Sequence, residues 1–261
     1  LSYMDHRVPT VFIGGGTPSV AAVEDIERLL ASVGRLYRLD RDAEITIEVN
    51  PGTVCGETLF RLRAAGVNRL SIGLQSADDR ELAAIGRIHT WKQFLDTYRA
   101  ARKAGFENIN VDIMSALPGQ TLAGYRQTLE RILSLEPPPE HISAYSLILE
   151  EGTPLFERYE EGSLDIPDED TDRGMYELTQ EILAERGYRR YEISNYAREG
   201  YECRHNCGYW RRRSYLGFGL GAASLVDNVR FRNGADLRAY LADPLGCREE
   251  EQILSRQEQM E

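Results

Sequence analysis

"VFIGGGTPSV", residues 11–20, joins an apolar run to three consecutive glycines and then to Thr-Pro-Ser. Val11-Phe12-Ile13 reads as the end of a buried strand. Each glycine costs conformational entropy on folding, so a plain strand-to-helix turn does not call for three. The stretch predicts a strand end that offers bare backbone to something that must come close. Beyond it, Ile26, Leu29, Leu30 and Val33 recur at i, i+3, i+4 and i+7, the pattern of an amphipathic helix. Glu24 and Asp25 fall in its first turn, where the helix dipole favours acids.

The same alternation continues along the chain. "EITIEVN" (44–50) has period two, with Ile45, Ile47 and Val49 on one face and Thr46, Glu48 and Asn50 on the other. Further strands are predicted over 69–76, 108–114, 141–149 and 188–193, and helices over 57–65, 79–85, 91–104, 121–134 and 170–186. Strand and helix in turn mean parallel βα units, closed either as an open doubly wound sheet or as a (β/α) barrel. Both closures put function at the carboxyl ends of the strands. The last stretch, "REEEQILSRQEQME", reads as a helix cut off while still running.

Composition sets the limits. The chain has 261 residues, 42% hydrophobic and 28% charged, enough for one large α/β domain with a full core. Its formal net charge of −11 argues against a broad nucleic-acid surface, which needs clustered Lys and Arg. Arg211-Arg212-Arg213 reads as a solvated face. No run of 18 apolar residues suggests a membrane span, and no signal peptide is evident. Cys55, Cys203, Cys207 and Cys247 are too few and scattered for a secreted disulfide framework, so a reducing cytoplasm is the expected compartment.

Several strands end in costly residues. The first delivers Gly14, Gly15, Gly16 and Thr17, the second Glu48, the third Gln75 and Ser76, and the fourth Asp112; Arg87 follows one helix later in "GRIHT". Polar groups embedded in apolar strands are expensive unless paired. Together they form a polar ring facing bare backbone, suited to a small ligand with a carboxylate, an amine and ribose hydroxyls. Arg87 can fork onto a carboxylate. Any one of Glu48, Gln75 or Asp112 can equally satisfy a neighbouring loop; their succession at strand ends is what points to a site. The glycines are not a GxGxxG fingerprint, since Ser19 stands where the last glycine belongs, and no GxxxxGK[ST] occurs.

"FIGGGTPS", "IEVNPGT", "GVNRLSIGLQS", "GRIHT", "NINVDIMSALPGQT", "YEISNYAREGYECRHN" and "YLGFGLGAAS" closely resemble the HemW/HemN branch of the radical S-adenosylmethionine (SAM) superfamily. The resemblance runs from about residue 8 to the end of the sequence. It implies an α/β fold, a partial (β/α)6 TIM-like barrel. The expected division is a core barrel over 1–230, incomplete at its N-terminus, and the truncated start of a C-terminal helical region over 231–261. Residue by residue, it implies SAM contacts at Gly15, Gly16 and Thr17, and at Glu48, Gln75, Arg87 and Asp112, the same ring reached from the strand ends. The strand with Ser146 and the loop with Ala223 are weaker matches. The family's [4Fe–4S] cluster sits on a Cys-x3-Cys-x2-Cys motif upstream of the glycines. Here the 13 residues before Gly14 contain no Cys, and Cys203-x3-Cys207 lacks a third. The cluster is therefore expected only in a longer protein.

"CRHNCGYW" (203–210) resembles the HNxxYW signature of the haem-chaperone members. It implies His205 as an axial ligand of haem iron, a common role for imidazole. Read alone, a histidine beside aromatics is more often a capped core residue. His89 is expected to hold the loop that carries Arg87; His6 and His141 have no comparable setting. The expected function is a chaperone that binds SAM and haem and delivers haem to an acceptor protein. The alternative is an oxygen-independent coproporphyrinogen III oxidase. A radical SAM RNA-modifying enzyme is a third reading, disfavoured by the acidic charge.

Overall fold

The computed structural model describes residues 6–255. Its main sheet begins with five parallel strands in sequence order: β1 (Arg7–Ile13), β2 (Arg38–Val49), β3 (Arg69–Gln75), β4 (Ile109–Ser115) and β5 (His141–Ser146). Helices α1 (Val23–Leu36), α2 (Gly56–Ala64), α3 (Asp79–Ala84), α4 (Trp91–Lys103) and α5 (Leu122–Leu133) fill the connections between them. After β5 come α6 (Pro154–Glu160) and α7 (Glu169–Glu185), then β6 (Arg189–Arg190) and β7 (Asn195–Ala197). The seven strands run β1-β2-β3-β4-β5-β7-β6, a curled half-barrel. The sixth strand, expected over 188–193, shrinks to two residues, and β7 pairs antiparallel with both β5 and β6. The parallel βα rhythm thus ends in a hairpin rather than another crossover.

Two faces with opposite chemistry explain the curl. Ile45, Ile47, Val49, Leu70, Ile72, Leu74, Ile109, Val111, Ile113 and Ile142 alternate along β2–β5 and are all buried. All ten pack with Leu59, Leu62, Phe94, Tyr98, Leu129, Ile132, Met175 and Leu183 from the helices in one core. On the other face the same strands carry Thr46, Arg69, Ser71, Asn110 and His141, buried among themselves. An ordinary closed barrel fills its interior with branched apolar side chains; this one lines it with hydrogen-bonding groups. Several helices start at a side chain bonded to a backbone N–H of the first turn: Asp78, Thr90, Thr121, Thr153 and Asp168.

β1 is the edge strand, with a single neighbour, so Val11, Phe12 and Ile13 are only half-buried rather than the buried strand end the sequence suggests. The stripe on α1 is also narrower than its periodicity, with Ile26 and Leu30 buried but Leu29 45% exposed.

The chain divides into two compact units, Leu1–Glu202 and Cys203–Glu261. The second unit holds α8 (Arg204–Trp210), β8 (Ala223–Val226), β9 (Val229–Asn233), α9 (Leu237–Ala242) and β10 (Arg248–Ile253). Its three strands form an antiparallel sheet in the order β10-β9-β8. The running helix expected from residue 248 is a strand as far as Ile253; residues 256–261 lie outside the described residues. Helix-forming Glu and Gln are overridden there by pairing: Arg248 and Glu249 face Asn233 and Arg232, and Arg232 forms an ion pair with Glu250 at 2.8 Å.

Candidate functional site

The glycine run turns its bare backbone toward Glu48. A Cβ on Gly14 would stand 2.7 Å from the Phe12 ring and 2.9 Å from Glu48 Oε1, so only glycine admits that carboxylate. Gly15 and Gly16 adopt φ of +80° and +59°, the left-handed region that side chains avoid. The Gly15 N–H donates to Glu48 Oε2 at 3.1 Å. All three glycines are exposed. The Thr17 hydroxyl accepts from Asn50 Nδ2 at 3.1 Å, and the Asn50 N–H donates to Ser19 Oγ at 3.2 Å. These bonds clamp the glycine loop onto the end of β2.

Gln75 closes β3 with φ of +72°, at a register shift against β4. Its amide nitrogen would lie 3.0 Å from a Cβ at Gly73, so the glycine makes room for the re-aimed side chain. Strain of this kind in a non-glycine residue gathers at functional sites. Ser76, also a strand-end candidate, turns away: its hydroxyl donates to the buried carboxylate of Glu81, which also accepts from Gln120 Nε2 at 2.8 Å. Ser76 therefore supports α3 and does not face the ring. Arg87 lies in the loop after α3, and His89 Nε2 donates to the Leu74 carbonyl at 3.0 Å. That bond ties the Arg87 loop to the end of β3, and burial lowers the His89 pKa, keeping the ring neutral.

Asp112 sits on the inner face of β4 in a directed network. The Tyr191 hydroxyl meets His141 Nε2 at 2.8 Å, His141 Nδ1 donates to Asn110 Oδ1 at 2.6 Å, and Asn110 Nδ2 donates to Asp112 Oδ1 at 2.7 Å. Ser71 Oγ reaches Asp112 Oδ2 at 3.3 Å. Since Asn110 Oδ1 can only accept, His141 carries its proton on Nδ1 and receives the tyrosine's on Nε2. Desolvation, with Arg69 adding, holds the His141 pKa well below its usual value, so the imidazole is neutral. Desolvation raises the Asp112 pKa above the usual value, and the bonds from Asn110, Ser143 and Ser71 and the charge of Arg69 oppose it. Glu48 is raised too, by desolvation first and by the charge of Asp112 after the opposing Gly15 bond.

These residues come together around one side chain the sequence did not single out. The Tyr145 hydroxyl donates to Gln75 Oε1 at 3.1 Å, bridging from β5 to β3 across β4. The charges of Asp112, Arg87 and Glu48 act on its ionisation. Glu48 and Gln75 lie at the carboxyl ends of β2 and β3, Asp112 lies on β4 between β3 and β5, and Arg87 lies in the loop that His89 ties to the end of β3. Of the β5 strand flagged at Ser146, the residue turned to the ring is Tyr145; Ser146 Oγ donates instead to Asp172 Oδ2 on α7 at 2.7 Å. A tyrosine in a strand carries no warning, because it is an ordinary strand former. The buried Asn110–His141 pair was signalled only by the polarity of alternate positions on β4 and β5.

His205 lies on α8 in the second unit, half-buried. Its Nε2 meets the Tyr209 hydroxyl at 2.9 Å, and the two rings pack edge to face at 4.9 Å. Tyr209 packs on Tyr215 in the same way at 4.7 Å. Tyr209 and Trp210 are 46% and 60% exposed, while Cys203 is buried. Ala223 opens β8 in this unit. Among the described residues no group of three or more His, Cys, Asp or Glu is placed to hold a metal ion, and no helix is long and apolar enough to cross a membrane.

A half-barrel with polar groups gathered at the carboxyl ends of its strands is a known class, and residues 2–132 match the model of the radical SAM superfamily. The heme chaperone HemW of Lactococcus lactis is 40% identical over 261 residues, all of this chain and 68% of its own length. HemW of Bacillus subtilis is 39% identical over 89% of this chain and 61% of its own. Among solved structures, the Escherichia coli coproporphyrinogen III oxidase HemN superposes with a TM-score of 0.83 at 23% identity, over 97% of this chain and 61% of that one. At that identity the likeness speaks for the fold alone, a partial radical SAM barrel. The chain belongs to the radical SAM superfamily and, within it, to the HemW-type branch. It spans about two thirds of the length of the relatives it matches.

Proposed function

We propose that this chain is the SAM- and haem-binding portion of a haem chaperone that passes haem to an acceptor protein in the cytoplasm. The observation that carries the reading is the polar set at the strand ends: Glu48 bonded to the exposed glycine loop, Gln75 held by Tyr145 from β5, and Asp112 on β4 between them. The donor set suits SAM: carboxylates for an ammonium or ribose hydroxyls, a guanidinium for the ligand's carboxylate, and an open glycine backbone for close approach. Gly15, Gly16, Thr17, Glu48, Gln75, Arg87 and Asp112 are the contacts assigned to it.

Haem is assigned to His205. A ligating imidazole is usually oriented by a partner on its second nitrogen, and Tyr209 supplies such a hydroxyl. Tyr209 and Trp210 offer exposed aromatic surface to a porphyrin edge. The names of the HemW relatives support the same ligand. The residues present do not fit a [4Fe–4S] cluster, because the four cysteines contain no Cys-x3-Cys-x2-Cys.

The test is haem titration of wild type and His205→Ala, read at the Soret band. Wild type is expected to saturate with a ligand-shifted band, and His205→Ala to lose the shift and bind at least tenfold more weakly. Identical spectra and affinities would remove His205 as the ligand. Conversion of coproporphyrinogen III by a haem-indifferent protein would favour the oxidase reading.

A further inference from the structure

Tyr145 lies among the SAM contacts proposed above without being one of them. Its strand partners show how it comes to be there. Asp112 on β4 faces Ser143 on β5, and Tyr145 stands two residues further toward the carboxyl end on the same face. Its neighbours Ile142 and Ala144 join the hydrophobic core on the other face, and Tyr145 does not. Its hydroxyl is tied to Gln75 Oε1 at 3.1 Å, while 37% of the residue remains open. An aromatic residue on the polar face, held at its hydroxyl and still partly exposed, is poor packing and good contact surface.

The charges around it point to the chemistry of what it would touch. Asp112 lies on the strand beside Tyr145, on the same face, and the charges of Glu48 and Arg87 also act on the phenol. The face of a phenol ring attracts cations electrostatically, most strongly where water is excluded. The phenol pKa is raised by desolvation and by the charge of Asp112, so the hydroxyl stays a protonated donor to Gln75 at neutral pH. The hydroxyl is thus engaged with the Gln75 amide, which leaves the ring as the part of the side chain that can meet a ligand.

We infer that Tyr145 is a specificity-determining residue whose ring distinguishes a sulfonium ligand from the neutral thioether of the same skeleton, while its hydroxyl fixes Gln75 for either. The inference rests on the SAM reading of the site. SAM carries the sulfonium charge and S-adenosylhomocysteine does not, so the pair isolates that one difference. The two carboxylates also favour the cation, so removing the ring narrows the preference without abolishing it.

The experiment measures both ligands by calorimetry on wild type, Tyr145→Phe and Tyr145→Leu, with melting curves to confirm folding. Wild type is expected to prefer SAM. Tyr145→Leu is expected to narrow the ratio of affinities by roughly three- to tenfold. Tyr145→Phe keeps the ring, so it is expected to hold the wild-type ratio while weakening both ligands alike. An unchanged ratio in Tyr145→Leu overturns the inference with the SAM site intact. A ratio lost equally in Tyr145→Phe assigns discrimination to the hydroxyl and overturns the role given to the ring. If wild type binds neither ligand, the SAM reading itself fails and takes the inference with it.

Discussion

Asp112 shows how a binding residue works against the fold that holds it. Its folded-state pKa is raised above 3.8, chiefly by desolvation. A carboxyl raised on folding leaves stability intact below its ordinary pKa and reduces it as pH climbs through the folded value. At neutral pH the buried carboxyl therefore costs stability, and its four hydrogen-bonding and charged neighbours only offset part of that. Asp112→Asn keeps the shape and an acceptor for Asn110 while removing the charge. The variant is expected to melt at or above the wild-type temperature at pH 7, with the gain shrinking as pH falls toward 4, and to bind SAM about 1 to 3 kcal/mol more weakly. Thermal melts across pH, paired with calorimetry, check both halves; a variant less stable than wild type at pH 7 but equal to it at pH 4 would reverse the sign. At this scale much of the site was legible. Glu48, Gln75 and Asp112 stood out because polar side chains in apolar strands need a reason. Tyr145 did not, since nothing in "HISAYS" separates a core tyrosine from one turned into the barrel.

Strands β2 to β5 each keep two accounts, one apolar face toward the helices and one polar face inward. The polar face carries a ladder of hydrogen bonds from Tyr191 to Asp112, so the orientation of the binding carboxylate depends on His141 and Asn110 well below it. A second polar knot ties the elements at the opposite end of the strands. Arg102, at the last turn of α4, bonds to Glu140 at 3.0 Å, to the Pro138 carbonyl and to the Tyr98 hydroxyl, while Glu140 also accepts the Ile109 N–H. Both charged side chains are nearly buried, at 12% and 13% exposure. Removing one partner strands the other in low dielectric, a loss of about 3 kcal/mol. Arg102→Ala is expected to lower the urea midpoint accordingly, and the Arg102→Ala, Glu140→Ala double variant to recover part of it, because no unpaired charge remains. Strictly additive losses would deny the coupling. The elements themselves were mostly readable from periodicity, and the failures share one cause. β6, β7 and β10 owe their form to pairing rather than to their own periodicity: β7 to β5, β6 to β7, and "REEEQI" to the Arg232 strand.

Across the whole molecule, stability is concentrated on one side of Cys203. Every residue of the hydrophobic core, from Ile26 to Tyr196, lies within Leu1–Glu202. In Cys203–Glu261 the buried apolar residues among those described are Cys203, Val226 and Phe231. A segment of that size with so small a core buries too little surface to offset its chain entropy. A cut at residue 230, where the sequence suggests the barrel ends, would divide the β8–β9 hairpin between its paired residues Ser224 and Phe231. A cut after Glu202 divides no strand pair. The fragment 1–202 is therefore expected to unfold in a single cooperative transition and, since Glu48, Gln75, Arg87, Asp112 and Tyr145 all lie within it, to keep SAM affinity within roughly threefold, about 0.7 kcal/mol. The fragment 203–261 is expected to melt without a cooperative transition and to bind no SAM. Circular-dichroism melts and calorimetry on both fragments decide the matter. A fragment 1–202 that aggregates or loses SAM, or a fragment 203–261 that melts cooperatively alone, would show that the core and the site do not belong to the first unit by themselves.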